Sequence, residues 1–390
     1  YRFSVEGLDM MVPMLQEMVD DAANNGIANI VIAMAHRGRL NVLTHVMEKP
    51  YQVILAEFED ELNEEAVGSI HGDVKYHMGY KRQIARGDST VNVIMPYNPS
   101  HLEAVDPVAV GMARAAGMMR LHERGEPVFN VQRTMQVLIH GDAAFPGQGI
   151  VAETFNMSGL KGYHTGGTVH IIANNQLGFT TLPNDGRSTR YASDLAKGFE
   201  VPVIHVNADD PAACIEVARI AFAYQERFER DILIDLIGYR RYGHNELDEP
   251  GFTQPLMYQV IRSHPTVRKI WADKLTAANV IAQGEADTLV EQHRNHLTQL
   301  HDSLPPLVEL IEPLPPLPAR GTAMRTDTAV SEEHLHTINE SLANTLPATF
   351  NYTNQRLKQS IQRRRELFVD PNEKMLEWAA GEELALATII

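Results

Sequence analysis

The chain has 390 residues, with 34 Lys plus Arg against 50 Asp plus Glu, a formal charge of −16 at pH 7 with His neutral. So acidic a balance argues against a general nucleic-acid binder, because neutralising phosphates takes a basic face. At 44% hydrophobic and 22% charged, the composition is that of a folded protein rather than a disordered chain. Length suggests two or three domains, or one large α/β domain with appendages. There is no apolar run of the roughly 18 residues a membrane span needs. The single Cys, Cys214, leaves no internal disulfide and suits a reducing cytoplasm. The chain starts at Tyr1 and stops inside an apolar helical pattern, Glu382–Ile390, so a piece of a longer polypeptide is expected.

In chain order, the spacing predicts a helix over Leu8–Ala23 and a strand over Asn29–Met34. A strand at Val91–Met95 and a helix at Leu102–Met119 come next. A strand at Gln136–Ile139, a helix at Ile150–Ser158 and a strand at Thr168–Ala173 follow. Strands at Val203–Val206 and Ile232–Ile237 flank a helix at Ala212–Phe228. The strands have aliphatic or β-branched content, and the helices recur at helical spacing. This alternation predicts an α/β fold, a doubly wound, mostly parallel sheet covered on both faces. Pro255–Gln299 reads as helices, and Leu304–Pro318 as a stiff Pro-rich connector. Glu332–Leu346 and Arg356–Leu367 read as further helices, with Arg363, Arg364 and Arg365 on a solvated face.

Ligands of such sheets sit beyond the carboxyl ends of the strands. The residues expected at that rim include His36, Arg37 and Arg39, then Asn98, Ser100 and His101. Asp142, Asn174 and Asn175, Asp209, and finally Arg240, His244 and Glu246 complete the set. Met135–Phe179 is the most informative stretch, reading strand, Gly141-Asp142-Ala143-Ala144, Gly147-Gln148-Gly149, helix, strand, Asn174-Asn175. Adjacent strand ends can bring the Asp142 and Asn175 oxygens together, which suits magnesium. The glycine-flanked turn opens a helix whose free N–H groups favour a diphosphate. There is no P-loop, no Gly-x-Gly-x-x-Gly dinucleotide fingerprint and no His-Glu-x-x-His zinc motif. Blander roles remain open. Asp142 and Asp210 can cap helices, as can Ser100, and His36, Arg37 and His101 can be loop polarity.

Several hexamers carry a family resemblance. Met34-Ala-His-Arg-Gly-Arg-Leu-Asn41, Gly72-Asp-Val-Lys-Tyr-His77, Asn98-Pro-Ser-His-Leu-Glu103 and His140-Gly-Asp-Ala-Ala-Phe145 resemble the decarboxylase component of 2-oxoglutarate dehydrogenase. Tyr239-Arg-Arg-Tyr-Gly-His-Asn-Glu246 and Gln254-Pro-Leu-Met-Tyr258 do so too. The resemblance is dense to about residue 275 and thinner beyond. It implies a thiamine diphosphate-binding, transketolase-like fold with thiamine diphosphate and magnesium as cofactors. Asp142, Asn175 and the Leu177 carbonyl would hold the metal. Ala143 and Ala144 N–H groups, Arg37, Ser100 and Leu102 would contact the cofactor. His36 and His77 would line the reacting centre, where an imidazole with a pKa near 6.5 can bind a carboxylate and move protons.

The implied reaction is oxidative decarboxylation of 2-oxoglutarate, with succinyl transfer to the lipoyl arm of a dihydrolipoyl succinyltransferase. The implied assembly is a homodimer of the full-length chain. A 2-oxoadipate enzyme of the same family and an inactive binding domain of that fold are the alternatives. Lys75-Tyr76 before His77 favours 2-oxoglutarate. The resemblance implies a cofactor-binding domain over 1–300, a connector over 301–375 and the start of a pyrimidine-binding domain over 376–390. The glutamate that activates the cofactor belongs to that second domain, so the isolated piece is expected not to turn over. A local basic island of His36, Arg37, Arg39, His77 and His101 is expected to receive the anions.

Overall fold

The computed structural model describes residues 3–60, 76–87, 89–120, 127–245, 247–306, 310, 319–344, 346–347, 349–351, 354–368 and 376–388. Contacts divide the chain into two compact units, Tyr1–Glu312 and Pro313–Ile390.

The first unit is built on nine strands among the described residues. They are β1 Asn29–Met34, β2 Tyr80–Arg86, β3 Ser89–Met95, β4 Met118–Arg120, β5 Pro127–Phe129, β6 Thr134–Gly141, β7 Thr168–Asn174, β8 Val203–Asn207 and β9 Ile232–Ile237. Seven form one sheet in the order β2-β3-β1-β6-β7-β9-β8, and β4 pairs with β5 in a separate ribbon. Every pair from β3 to β8 is parallel, and β2 alone runs antiparallel, against β3. The six expected strands are all present. β2 escaped the sequence reading because it is a half-covered edge strand, with Lys81, Gln83 and Ala85 exposed on one side. Such a strand is polar by design against edge pairing.

Along β1, Ile30, Ile32 and Met34 face one core while Val31 and Ala33 face another, the period-2 alternation of a strand covered on both sides. Helices Met11–Asn24 and Pro211–Phe228 supply the first core. Helix Asp106–Gly117 packs on the other face beside a cluster built on Phe145, Val151 and Phe155. That second face is not apolar throughout. Buried Gln136, His140 and His170 interrupt it on β6 and β7. Helix Asp106–Gly117 starts later than its spacing suggested, because Glu103 takes a left-handed φ of 69° and Pro107 sets the first turn. Its end is cut short by β4. Asp210 caps helix Pro211–Phe228, accepting from Ala213 N–H at 3.2 Å.

Pro255–Ser263, Val267–Ala277 and Glu285–Asp302 are helices. Most of the Pro-rich run Leu304–Pro318 lies outside the described residues. No described helix is long and apolar enough to cross a membrane. In the second unit, helices Glu332–Asn344, Gln355–Arg365 and Trp378–Ala387 pack together. The three consecutive arginines are not merely solvated. Arg364 pairs with Glu383, Arg363 lies 3.6 Å from Glu377, and Arg365 donates to the Ala343 carbonyl.

Candidate functional site

The chain leaves β1 for β3 on one side, then returns to β6 on the other. The carboxyl ends of β1 and β6 therefore splay connections in opposite directions, which opens a crevice at this point of a doubly wound sheet. A cavity of about 110 Å³ lies there. His36 and Arg37 line it from β1, Asp142, Ala143 and Ala144 from β6, Asn175 and Leu177 from β7, Arg240 and His244 from β9, and Leu102 from the segment after β3. A larger cavity, about 500 Å³, is lined by Gly167, Arg230 and Asp231. These residues precede β7 and β9, so that cavity opens at the opposite rim, away from this set.

Register explains the meeting of Asp142 and Asn175. Gly141 pairs with Ala173, which sets Asp142 level with Asn174 and Asn175 one residue beyond, where its N–H reaches the Asp142 carboxyl. Asp142 is 3% exposed. Burial pushes its carboxyl up to about 6, opposed by the Arg187 guanidinium and by N–H groups of Asp142 itself and Asn175. It is not a helix cap. The single turn Ala144–Gly147 has Ala143 at its cap position and no side-chain cap bond, and a break at Gln148 separates it from helix Gly149–Ser158. The continuous helix opening expected for a diphosphate is therefore a turn and a break.

Asn175 Oδ1 accepts from Leu177 N–H at 3.2 Å. Neighbouring Asn174 is held by Asp235, through a 2.8 Å bond from its Nδ2, and receives Gln176 N–H at 3.1 Å. Gln176 and Phe179 both have positive φ, 61° and 55°, so the loop is folded back tightly. Asp142, Asn175 and the Leu177 carbonyl offer oxygen alone, as a hard divalent cation requires. A cation there would also remove the cost of burying the Asp142 charge.

Two guanidiniums serve the same cavity. Arg37 donates to the Ser4 carbonyl at 2.9 Å and the His244 carbonyl at 3.2 Å, and its Nη2 lies 3.4 Å from His244 Nδ1. Burial, then the charge of Arg240, lower Arg37 to about 10, so it stays charged at neutral pH. Arg240 is 2% exposed and donates to the carbonyls of Tyr242 and Phe179, to Tyr258 Oη and to Asp248. Burial and the charges of Arg37 and Arg240 push His244 down to about 4. The Phe3 ring packs on His36 at 4.1 Å and on His244 at 5.6 Å.

Other expected members lie elsewhere. Arg39 belongs to no basic island. It is fully buried and donates to the carbonyls of Met34, Met78 and Pro96. Ser100 and His101 are exposed, and Ser100 caps nothing, since the next helix starts at Asp106 without a side-chain cap. His77 stands before β2, its carbonyl accepting from Asn98 N–H at 3.1 Å, and is not among the cavity-lining residues. Lys75 and Glu246 lie outside the described residues. Phe3, Ser4 and Arg187 were missed by the sequence reading, as they follow no strand of the sheet directly.

A buried polar cluster backs the cavity. His140 Nδ1 is 2.6 Å from Glu103 Oε2 and its Nε2 is 3.0 Å from His170 Nδ1. Asp106 Oδ2 is 3.5 Å from His140 Nδ1. Burial raises both acids, Glu103 to about 7 and Asp106 to about 8, and lowers both histidines. The four groups share few charges, as a dry site demands.

Comparison with known proteins gives the family. The family model described as "Dehydrogenase E1 component" matches residues 6–301. Among curated proteins, the 2-oxoglutarate dehydrogenase E1 components of Bacillus pumilus and Geobacillus kaustophilus are 47% and 48% identical over 401 aligned residues. That of Bacillus cereus is 47% identical over 395. Each alignment covers 100% of this chain but only 41–42% of the relative. By the family match and the whole-chain identity, this chain belongs to the dehydrogenase E1 component family.

Proposed function

We propose that this chain is the diphosphate-binding part of a 2-oxoglutarate dehydrogenase E1 component. The observation that carries the reading is the buried oxygen set of Asp142, Asn175 and Leu177 beside two guanidiniums, half-buried Arg37 and buried Arg240, in one crevice. An anionic group chelated to a divalent cation needs this combination. The relatives named above support the substrate.

Asp142, Asn175 and the Leu177 carbonyl would hold magnesium. Ala143 and Ala144 would offer N–H groups to the diphosphate, and Arg37 its guanidinium. Leu102 and Ser100 would contact the rest of thiamine diphosphate. When bound, the cofactor supplies the nucleophilic carbon and accepts the electron pair freed as carbon dioxide departs. His36 holds the carboxylate of the oxo acid and moves a proton at its ring nitrogen. His77 would take the same role, a reading that rests on the family resemblance, since it does not line the cavity. Magnesium, the homodimer, the lipoyl-bearing succinyltransferase and a cytosolic or mitochondrial-matrix setting belong to this proposal. So does a division into a cofactor domain over 1–300, a connector over 301–375 and the start of a pyrimidine-binding domain over 376–390.

The test uses the full-length protein, titrated calorimetrically with thiamine diphosphate and magnesium and assayed with 2-oxoglutarate and 2-oxoadipate. Magnesium-dependent binding and preference for 2-oxoglutarate are expected, and Asp142→Ala should abolish the binding. Absence of binding by the wild-type protein would sink the reading.

A further inference from the structure

Leu102 forms part of one wall of the cavity, with Glu103 beside it in the same turn, and Asp142 forms part of another. Nothing in covalent sequence links them, since Glu103 and Asp142 are 39 residues apart. Glu103 is nonetheless 5% exposed with a φ of 69°. A buried, non-glycine residue in left-handed backbone is strained, and strain of this kind persists only where surrounding contacts impose it. The contacts are specific. Glu103 Oε2 meets His140 Nδ1 at 2.6 Å, and the carboxyl also receives the Gly141 N–H. His140 and Gly141 are the last residues of β6, directly before Asp142.

The far side of His140 extends the line. Its Nε2 lies 3.0 Å from His170 Nδ1, and the tautomers set which ring donates. His170 is on β7, four residues before Asn174 and five before Asn175. One hydrogen-bond line therefore runs from β7 through β6 to the wall made by Leu102. Its members lie on the sheet face that would otherwise be apolar, where burying polar groups is costly unless each is used.

Resting on the reading that Asp142 and Asn175 hold the metal and diphosphate, we propose that Glu103 is a positioning residue. It clamps the Leu102 wall to the end of β6, so that Leu102 and Asp142 keep the separation the cofactor needs. Outer partners of this sort commonly change affinity by about 10–100-fold when removed.

The experiment compares Glu103→Gln with Glu103→Met in the full-length protein. Both keep the length of the side chain, but only the amide can still accept from His140 or Gly141. Titration with thiamine diphosphate and magnesium should give a Kd within about threefold of wild type for Gln and about tenfold or more weaker for Met. At saturating cofactor, kcat should change far less than Kd. Equal affinities for Met and wild type would overturn the proposal, as would a fall in kcat with Kd unchanged. Should Glu103→Met not fold, His140→Leu removes the partner instead. It should weaken binding by a similar factor, and wild-type affinity there would also overturn the clamp. Failure of the wild-type protein to bind the cofactor would instead count against the function itself.

Discussion

Gly178 faces Ala143 across the gap between the β7 and β6 loops, so closely that a Cβ on Gly178 would lie 2.8 Å from the Ala143 Cβ. The glycine is needed for approach, not for backbone freedom. Two loops that converge on one ligand must nearly touch, and a rigid methyl on either side pushes them apart. Gly178→Ala should therefore leave the thermal midpoint within a few degrees while weakening magnesium-dependent cofactor binding about tenfold. Calorimetric titration alongside thermal unfolding checks the pair, and unchanged affinity would show the loops have room to spare.

Asp142 carries a cost in the cation-free protein. Its folded pKa, raised to about 6 from 3.8, means its contribution to stability is complete below pH 3.8 and is lost as pH rises through 6. The loss corresponds to roughly 3 kcal/mol at pH 7. Asp142→Asn should make the cofactor-free protein more stable at pH 7 by about 1–3 kcal/mol while removing the stabilisation by magnesium and cofactor. Urea unfolding with and without both ligands reads the two effects, and a destabilised cofactor-free variant would contradict the burial argument.

A second pH effect comes from behind the cavity. Asp106 is raised to about 8, by burial first and then by Glu103, against the pull of His140. Its stabilising contribution is present at low pH and lost as pH rises through 8. His140, His170 and His244 are lowered, so their penalties come on below pH 6.5, outside this window. Glu103, raised to about 7, titrates inside it. Between pH 6.5 and 8 the two acids together should cost the cofactor-free protein about 2 kcal/mol. Asp106→Asn should reduce that decline. A wild-type stability that is level across the window would show both acids are already ionised.

These effects mark what sequence could reach. The six apolar runs were enough to identify the parallel strands, because a strand buried on both faces is a continuous aliphatic stretch. The rim rule then led to Asp142 and Asn175, since both follow such strands directly. Arg39 was legible as a basic residue near the rim, but not that its guanidinium turns away to the carbonyls of Met34, Met78 and Pro96. That depends on how three separate segments end. Phe3 and Ser4 were hidden for the same reason: the N-terminal segment reaches the cavity only by packing across β1 and β9 loops. Asp235 interrupts the apolar run Ile232–Ile237, and its partners come from Asn174, Ser193 and His205, which the pattern of the run does not reveal.

Arg39 offers a direct check on that distinction. A lysine keeps the charge but cannot span three carbonyls with a rigid fork. Arg39→Lys should cost about 2–4 kcal/mol in urea unfolding, from acceptors left unpaired in a dry site. An anion-binding role would predict the opposite pattern, with stability kept and cofactor affinity lost.

Asp235 joins stability to the site. It is 0% exposed and accepts from Asn174 Nδ2 at 2.8 Å, Ser193 Oγ at 3.4 Å and His205 Nδ1 at 3.0 Å. Through Asn174 it fixes the loop that presents Asn175 and Leu177, because the Asn174 Oδ1 takes the Gln176 N–H. Asp235→Leu would fit the apolar strand better by pattern, yet it strands three donors. The expected cost is about 3–5 kcal/mol. Asp235→Asn keeps one acceptor and should cost about 1–2 kcal/mol, with the metal-dependent cofactor Kd rising because Asn174 is free to rotate. Urea unfolding of both variants, with calorimetric titration of the Asn form, separates the two roles. If the leucine variant lost less than 1 kcal/mol, burial of Asp235 would not be what holds the β7 loop in place.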